Sequence, residues 1–172
     1  MIDRPAPSEF APAFAGYVAR VTEADVMDVL ARQTAELRAL AARVPAERET
    51  FRYEPGKWTI REVFGHIGDV ERVMGYRAFS ISRGEQASLP GFDENEYVAN
   101  SPLVRVPLAE LVDEFAALRN GNLAVLSRAD GKVAAALGTA NGSPASVRAL
   151  AYILAGHFRH HVHVLATRYG LS

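Results

Sequence analysis

The sequence contains no cysteine. This absence excludes disulfide bonds, a thiolate nucleophile supplied by the protein itself, and cysteine-based zinc fingers. Long apolar runs are missing as well, because no stretch approaches the roughly 18 apolar residues of a membrane-spanning helix. Residues 1–7 carry an acid and two prolines where a secretory signal would need an apolar run. We therefore expect a cytoplasmic protein that does not enter a membrane.

Neither sign of charge is in excess. The chain has 19 Lys and Arg residues against 20 Asp and Glu residues, which gives a net charge of −1. A balanced chain without a basic stripe on any predicted helix is not typical of a nucleic-acid-binding protein. Apolar residues make up 49% of the 172 residues, a composition and a length that suffice for one globular domain with a continuous core.

Four segments have the hydrophobic spacing of amphipathic helices, and no segment alternates with period two for long enough to predict a strand. The predicted helices cover residues 22–43, 59–83, 107–128 and 143–169. Four such helices joined by connectors predict an all-α protein, a four-helix bundle. Residues 1–21 are rich in Ala and Pro and predict an irregular N-terminal arm packed on a bundle domain of residues 22–172.

Capping patterns support three of the predicted helix starts. Thr22 resembles the first residue of a capping box, and Thr59 with Glu62 forms a complete one at the head of the second helix. Ser143 followed by Pro144 predicts a cap and a first-turn proline for the fourth helix. Residues 84–106 form a polar connector of more than twenty residues, and loops of that length in compact domains are usually functional or disordered.

Four of the five histidines lie within residues 157–163. At about 100° per residue, His157 and His161 fall within the apolar stripe of the fourth helix, one turn and roughly 6 Å apart. His160 lies at the edge of that stripe, and His163 faces away from it. Two inward imidazoles at this spacing can ligate one ion. Burying both without a shared partner would cost on the order of 1–3 kcal/mol each.

The fifth histidine, His66, flanks the apolar stripe of the second helix, which can face the fourth. Three His ligands with open positions are typical of a catalytic or ligand-binding metal site, because structural zinc is normally closed by four protein ligands. The alternative is that each inward histidine is a core residue bonded to its own carbonyl, with no ion. We expect His163 to be a surface residue and His160 to be structural or to support the ligands.

Three segments together resemble the DinB/YfiT superfamily of metal-binding four-helix bundles. They are residues 57–72 (KWTIREVFGHIGDVER), 89–93 (LPGFD) and 155–161 (AGHFRHH). In that family one histidine of the second helix and a His-x-x-x-His pair of the last helix bind nickel or zinc. These positions match His66, His157 and His161 one for one. The resemblance also implies an up-down-down-up topology and frequently a homodimer.

The resemblance implies several activities and singles out none. Some members of the superfamily are thiol-dependent transferases or isomerases that use mycothiol, bacillithiol or glutathione, others are described as hydrolases, and many have no assigned reaction. A metal ion with open positions can serve hydrolysis of a small-molecule substrate, or it can bind a low-molecular-weight thiol as thiolate for transfer. The second chemistry fits a chain without cysteine. The alternative is a non-catalytic metal- or small-molecule-binding bundle.

Residues that would contact a substrate are harder to predict. Arg77 lies on the same side of the second helix as His66 and can receive an anionic group, although a surface arginine is the alternative. Candidates on the long connector, which can fold over the site, are Asp93, Asn95 and Tyr97.

No firm general base emerges from the sequence. Glu62 and Asp69 are turned away from the core more than His66 is, so we expect them to be solvated or salt-bridged. Trp58 is expected in the core.

Overall fold

The computed structural model describes residues 2–171. Its helices are α1 (Ala15–Ala19), α2 (Val26–Ala41), α3 (Ile60–Ser82), α4 (Glu94–Asn100), α5 (Leu108–Leu126), α6 (Gly131–Ala134) and α7 (Val147–Tyr169), and its strands are β1 (Leu137–Ala140) and β2 (Ser143–Ser146). The long helices α2, α3, α5 and α7 form a bundle in which α2 and α3 each pack against both α5 and α7. Consecutive helices α2 and α3 therefore lie diagonally across the bundle. The predicted four-helix bundle is confirmed.

The predicted start of α3 is confirmed, whereas that of α2 is wrong. The backbone N–H of Thr59 donates to Glu62 Oε2 at 2.6 Å, and the Glu62 N–H donates to Thr59 Oγ1 at 3.2 Å, which completes the capping box. In α2 the cap is Asp25, whose carboxylate accepts from the Met27 N–H at 3.0 Å, so the helix begins at Val26 rather than near Thr22.

The expectation of no strand is wrong, and so is the start of the last helix at Ser143. Residues 137–146 form an antiparallel hairpin whose turn residues Asn141 and Gly142 have φ values of 51° and 71°. Asn-Gly is the preferred pair for a turn that needs positive φ at both central positions. Each strand has only four residues, too few for an alternating pattern to show. The cap of α7 is Ser146, whose hydroxyl accepts from the Ala149 N–H at 3.0 Å.

The connector of residues 84–106 contains regular secondary structure rather than being a loop throughout. It contains α4 and a 3-10 turn at Leu103–Arg105. Its first part is joined to the hairpin, because the Leu89 N–H donates to the Thr139 carbonyl and the Asn141 N–H donates to the Leu89 carbonyl, both at 2.9 Å. These bonds fix residues 89–93 beside the bundle.

The N-terminal segment is not fully irregular, since it contains α1 and two 3-10 turns. Its apolar side chains are buried in the core, among them Ile2, Phe10, Val18 and Val21. A bidentate ion pair between Glu9 and Arg148 of α7 also holds it, with N–O distances of 2.6 and 2.7 Å. The division of the chain at residue 22 stays a prediction.

A buried polar network joins the four long helices. Arg119 of α5, which is 1% exposed, donates to both carboxylate oxygens of Glu71 at 2.8 Å and to the Leu30 carbonyl at 2.9 Å. It also donates to Gln33 Oε1 at 2.7 Å, and Gln33 Nε2 donates to the Ala155 carbonyl of α7 at 2.9 Å. Because a buried charge needs its partner, this network fixes how the helices are arranged.

Glu71→Leu should lower the free energy of unfolding by about 3–5 kcal/mol, because it leaves the Arg119 guanidinium buried without a counterion. Urea unfolding at neutral pH measures this loss. The double variant with Arg119→Leu should recover part of it, since neither charge then remains in the core. A single variant as stable as the wild type would contradict this role of the pair.

Stability should also depend on the ion pair of Glu9. Hydrogen bonds from Arg148 lower the pKa of Glu9 to about 2. A carboxyl whose pKa is depressed in the folded state stabilises the fold above its unfolded pKa of about 4.3, and this stabilisation is lost as the pH falls towards 2. Glu9→Gln should therefore cost roughly 1–3 kcal/mol at pH 7 and progressively less below pH 4.

Urea unfolding at a series of pH values gives this difference. Glu47→Gln is the matched control, because Glu47 is exposed and its side chain makes no hydrogen bond within residues 2–171. The same pH dependence in both variants would show that the Glu9–Arg148 pair is not the cause.

Candidate metal centre

Three histidines meet in the interior where α3 packs against α7. His66 of α3 is 5% exposed, and His157 and His161 of α7 are 6% and 8% exposed. The ring centroids are 4.9 Å apart for His66 and His157, 4.7 Å for His66 and His161, and 4.4 Å for the two rings of α7. One ring nitrogen from each lies within 4.8 Å of the others, a spacing that one ion can bridge.

Two glycines beside the histidines bring other segments close to the cluster. A Cβ on Gly65 would lie 2.3 Å from a methyl carbon of Leu103, and a Cβ on Gly156 would lie 1.9 Å from the Tyr17 carbonyl oxygen. The second approach involves backbone, which cannot move aside as a flexible side chain can. Gly156 therefore allows α1 to pack directly on α7 at the residue next to His157.

Burial keeps the three imidazoles neutral. Loss of solvation lowers the pKa of His66 to about 4 and that of His161 to about 2. It also places the pKa of His157 well below its ordinary value, with further contributions from the neighbouring histidines. At neutral pH each ring thus offers an unprotonated nitrogen, which is the form that ligates a metal ion.

The hydrogen bonding of the cluster fits a metal ion better than a polar core. Nε2 of His66 and Nε2 of His157 lie 3.0 Å apart, and neither ring donates to a carbonyl within residues 2–171. His161 Nδ1 is the one buried side-chain nitrogen or oxygen of the described chain without a hydrogen-bond partner. An unsatisfied buried nitrogen costs about 1–3 kcal/mol, and coordination of a metal ion by this nitrogen would remove the cost. Imidazole donors suit zinc and nickel.

Aromatic rings enclose the cluster on two sides. The centroid of Trp58 lies 4.6 Å from that of His66, and Trp58 packs against the core, as expected, but is only half-buried. Tyr17 of α1 meets the ring of His157 edge-on at 5.4 Å. Sequence reasoning missed Tyr17, because its position depends on the N-terminal segment folding back over α7.

The two remaining histidines lie outside the cluster. His160 is half-buried, with its ring centroid 4.9 Å from that of His161 and 5.5 Å from that of Tyr17. His163 is exposed, as its helical phase predicted.

A cavity of about 260 Å³ opens beside His66 and His157. Its walls are mostly apolar side chains of α3, α7 and the N-terminal segment, and its polar lining residues other than the histidines and Tyr17 are Arg77, Glu94, Asn141 and Ser143. A small apolar cavity with a few polar groups, next to a cluster of groups with shifted pKa values, is the usual form of a ligand site.

Of the four residues predicted to contact a substrate, one lines the cavity and three do not. Arg77 is buried and lines the cavity, which rules out a surface position. Asp93 is exposed and caps α4, accepting from the Asn95 N–H at 2.8 Å. Asn95 is exposed too, and the exposed Tyr97 packs its ring against Phe92 at 5.2 Å. The last three do not line this cavity, and their contact with a substrate stays a prediction.

Neither Glu62 nor Asp69, the two acids of α3 weighed as a general base, lies in the cavity lining. Glu62 closes the capping box with Thr59. Asp69 is half-buried, and burial raises its pKa.

The fold and the buried cluster together define a four-helix bundle with a potential three-histidine metal site. The profile of the DinB superfamily matches residues 30–165, so the chain belongs to the DinB superfamily. No curated protein sequence matches the chain significantly. None of the helices in residues 2–171 combines the length and the apolar character needed to cross a membrane.

One solved structure similar to this chain is YfiT from Bacillus subtilis. The two share a TM-score of 0.77 and 17% sequence identity, over 86% of this chain and 87% of that one. YfiT is described as a probable metal-dependent hydrolase with an unusual four-helix bundle topology. At this identity the match shows the fold, and it confirms the predicted up-down-down-up bundle.

His161→Ala should lose the metal ion, whereas His163→Ala should keep it. The first change removes one of the three converging imidazoles, and the second removes an exposed ring from the same helix. Elemental analysis of protein purified without a histidine tag measures the nickel and zinc content per chain. We expect a drop of about tenfold or more for His161→Ala alone. Equal metal content in both variants would refute the assigned ligands.

Proposed function

We propose that the protein binds one divalent ion, zinc or nickel, through His66, His157 and His161, and that it is a metal-dependent enzyme acting on a small molecule. The observation that carries this proposal is the convergence of three buried, neutral imidazoles beside an apolar cavity. The unpartnered His161 Nδ1 supports the same reading. Three ligands from the protein leave coordination positions open, as in catalytic zinc sites.

The ion would supply a Lewis acid that activates a water molecule or a thiol. The chain itself holds three neutral donors in place and surrounds them with Trp58, Tyr17 and apolar walls that exclude bulk water. Tyr17 and Glu94 are candidates for proton transfer, because both line the cavity. Burial raises the pKa of Tyr17, so it would act in its protonated form at neutral pH.

Two reaction classes remain, each with one supporting observation. Transfer of a low-molecular-weight thiol is supported by the absence of cysteine, because the nucleophile would then come from a co-substrate. Hydrolysis is supported by the description of YfiT as a probable metal-dependent hydrolase. A bundle that binds a metal or a small molecule without turnover is the remaining alternative.

We further propose that the protein is a cytoplasmic homodimer that does not bind nucleic acid. Exposed Tyr76 and Phe79 on the outer face of α3 support a protein contact there. The balanced charge of the chain supports the absence of a nucleic-acid partner.

Turnover should be sensitive to chelation. We expect the zinc- or nickel-loaded protein to conjugate glutathione, bacillithiol or mycothiol to 1-chloro-2,4-dinitrobenzene, or to hydrolyse 4-nitrophenyl acetate. Removal of the ion should reduce the rate by about 100-fold or more, since the ion supplies the activation, and its return should restore the rate. His161→Ala should lack this activity, and His163→Ala should keep it.

Absorbance assays with and without thiol separate the two reaction classes. If the reaction requires the thiol, the protein is a transferase. If it proceeds without the thiol, the protein is a hydrolase. A metal-loaded protein with no chelator-sensitive rate in either assay would contradict the enzyme and favour the binding protein.

A further inference from the structure

Arg77 carries a buried positive charge without a counterion. Its residue is 4% exposed, and no carboxylate within residues 2–171 lies within 4.0 Å of its guanidinium. One nitrogen donates to the Pro90 carbonyl at 2.7 Å, and another contacts the sulfur of Met74 at 3.4 Å. Arg119, the other deeply buried arginine, is paired with Glu71. Because buried charges are normally paired, we expect the guanidinium of Arg77 to have an anionic partner from outside the chain.

Arg77 lines the same cavity as His66 and His157. Arg77 follows His66 by eleven positions, a rotation of three helical turns plus about 20°. Both residues therefore lie on one face of α3. Their Cα atoms are therefore roughly 16 Å apart along the helix, and the tilt of helical side chains towards the N-terminus brings the guanidinium closer. Val70 and Met74 lie between them in the wall of the cavity.

The charge is held in place by the segment that covers this end of the cavity. Pro90 accepts from Arg77, and the ring centroid of Phe92 lies 5.9 Å from the guanidinium carbon. The bonds of Leu89 to the hairpin anchor that segment in turn. A guanidinium fixed in this way loses little conformational entropy when it binds a ligand.

Glu94 is the one carboxylate in the lining of this cavity, and it does not neutralise Arg77. Its residue is exposed, it is not within ion-pair distance of Arg77, and its charge acts instead on Tyr17. Arg77 is also the one arginine or lysine in that lining. A single guanidinium can bind a carboxylate through two parallel hydrogen bonds and balances its single charge, whereas it would leave half the charge of a phosphate dianion unbalanced.

We infer that Arg77 binds the carboxylate of a small molecule whose apolar body fills the cavity and whose far end lies at the three histidines. The substrate class is then a small amphipathic carboxylic acid. The role of the far end rests on the proposed function, whereas the binding of the carboxylate by Arg77 does not require the metal ion.

The test compares 4-phenylbutyrate with 4-phenylbutyramide, which has the same shape and no charge. Calorimetric titration of the full chain, both metal-free and zinc-loaded, gives the two dissociation constants. We expect the carboxylate to bind about tenfold or more tightly than the amide in both forms of the protein. Arg77→Met should abolish this preference and leave binding of the amide unchanged. Arg83→Met, which removes an exposed charge from the same helical segment, should keep the preference.

Three results would overturn the inference. The first is that Arg77→Met still prefers the carboxylate to the amide. The second is that the wild type loses this preference when the ion is removed, which would place the carboxylate at the metal. The third is that neither probe binds to the wild type at millimolar concentration. Failure of the proposed function is seen separately, as wild-type protein that binds no zinc or nickel but still prefers the carboxylate.

A measurement on the wild type covers the case in which Arg77→Met does not fold. The Arg77 side-chain NH signal in a ¹⁵N-labelled sample, assigned with Arg77→Lys, should shift on addition of 4-phenylbutyrate and not on addition of the amide. No shift, or the same shift with both probes, would refute the contact.

Discussion

The proposed site depends on one constraint, the placement of three uncharged imidazoles at a common point between α3 and α7. Each ring is buried, and none of the three is satisfied by a carbonyl within residues 2–171. An apolar core would be more stable with hydrophobic side chains at these positions, because an unsatisfied buried nitrogen is costly. A shared divalent ion would resolve this conflict, which is why we propose a functional role for the cluster rather than one in packing.

The rest of the fold holds that point in place. The Arg119 network reaches α7 through Gln33 and the Ala155 carbonyl, two residues before His157. At the next residue of α7, Gly156 admits the backbone of Tyr17 and lets the N-terminal segment pack over the cavity. Rigid support of this kind would keep the three imidazoles in position without an ion and would lower the cost of binding one.

Sequence reasoning was most successful where local rules apply. Helical phase placed His157 and His161 on the inner face and His163 on the outer face, and the Thr59 capping box set the start of α3. These predictions need only the period of a helix and the chemistry of its first turn. The convergence with His66 followed from the packing of α3 against α7.

The features that were missed depend on short turns or on contacts between distant segments. The hairpin has strands of four residues, and its Asn141-Gly142 turn was its one sequence signal. Tyr17 reaches the site because the chain folds back across α7, and the burial of Arg77 depends on residues 89–92 covering it. Periodicity within one segment carries no information about either contact.

X-ray absorption spectroscopy of the zinc- or nickel-loaded wild-type protein tests the central claim most directly, because it reports the atoms bound to the ion. We expect three imidazole ligands, recognised by the outer-shell scattering of their rings, together with one or more ligands from outside the protein. A first shell built from oxygen alone, or one with fewer than three imidazoles, would contradict a site formed by His66, His157 and His161.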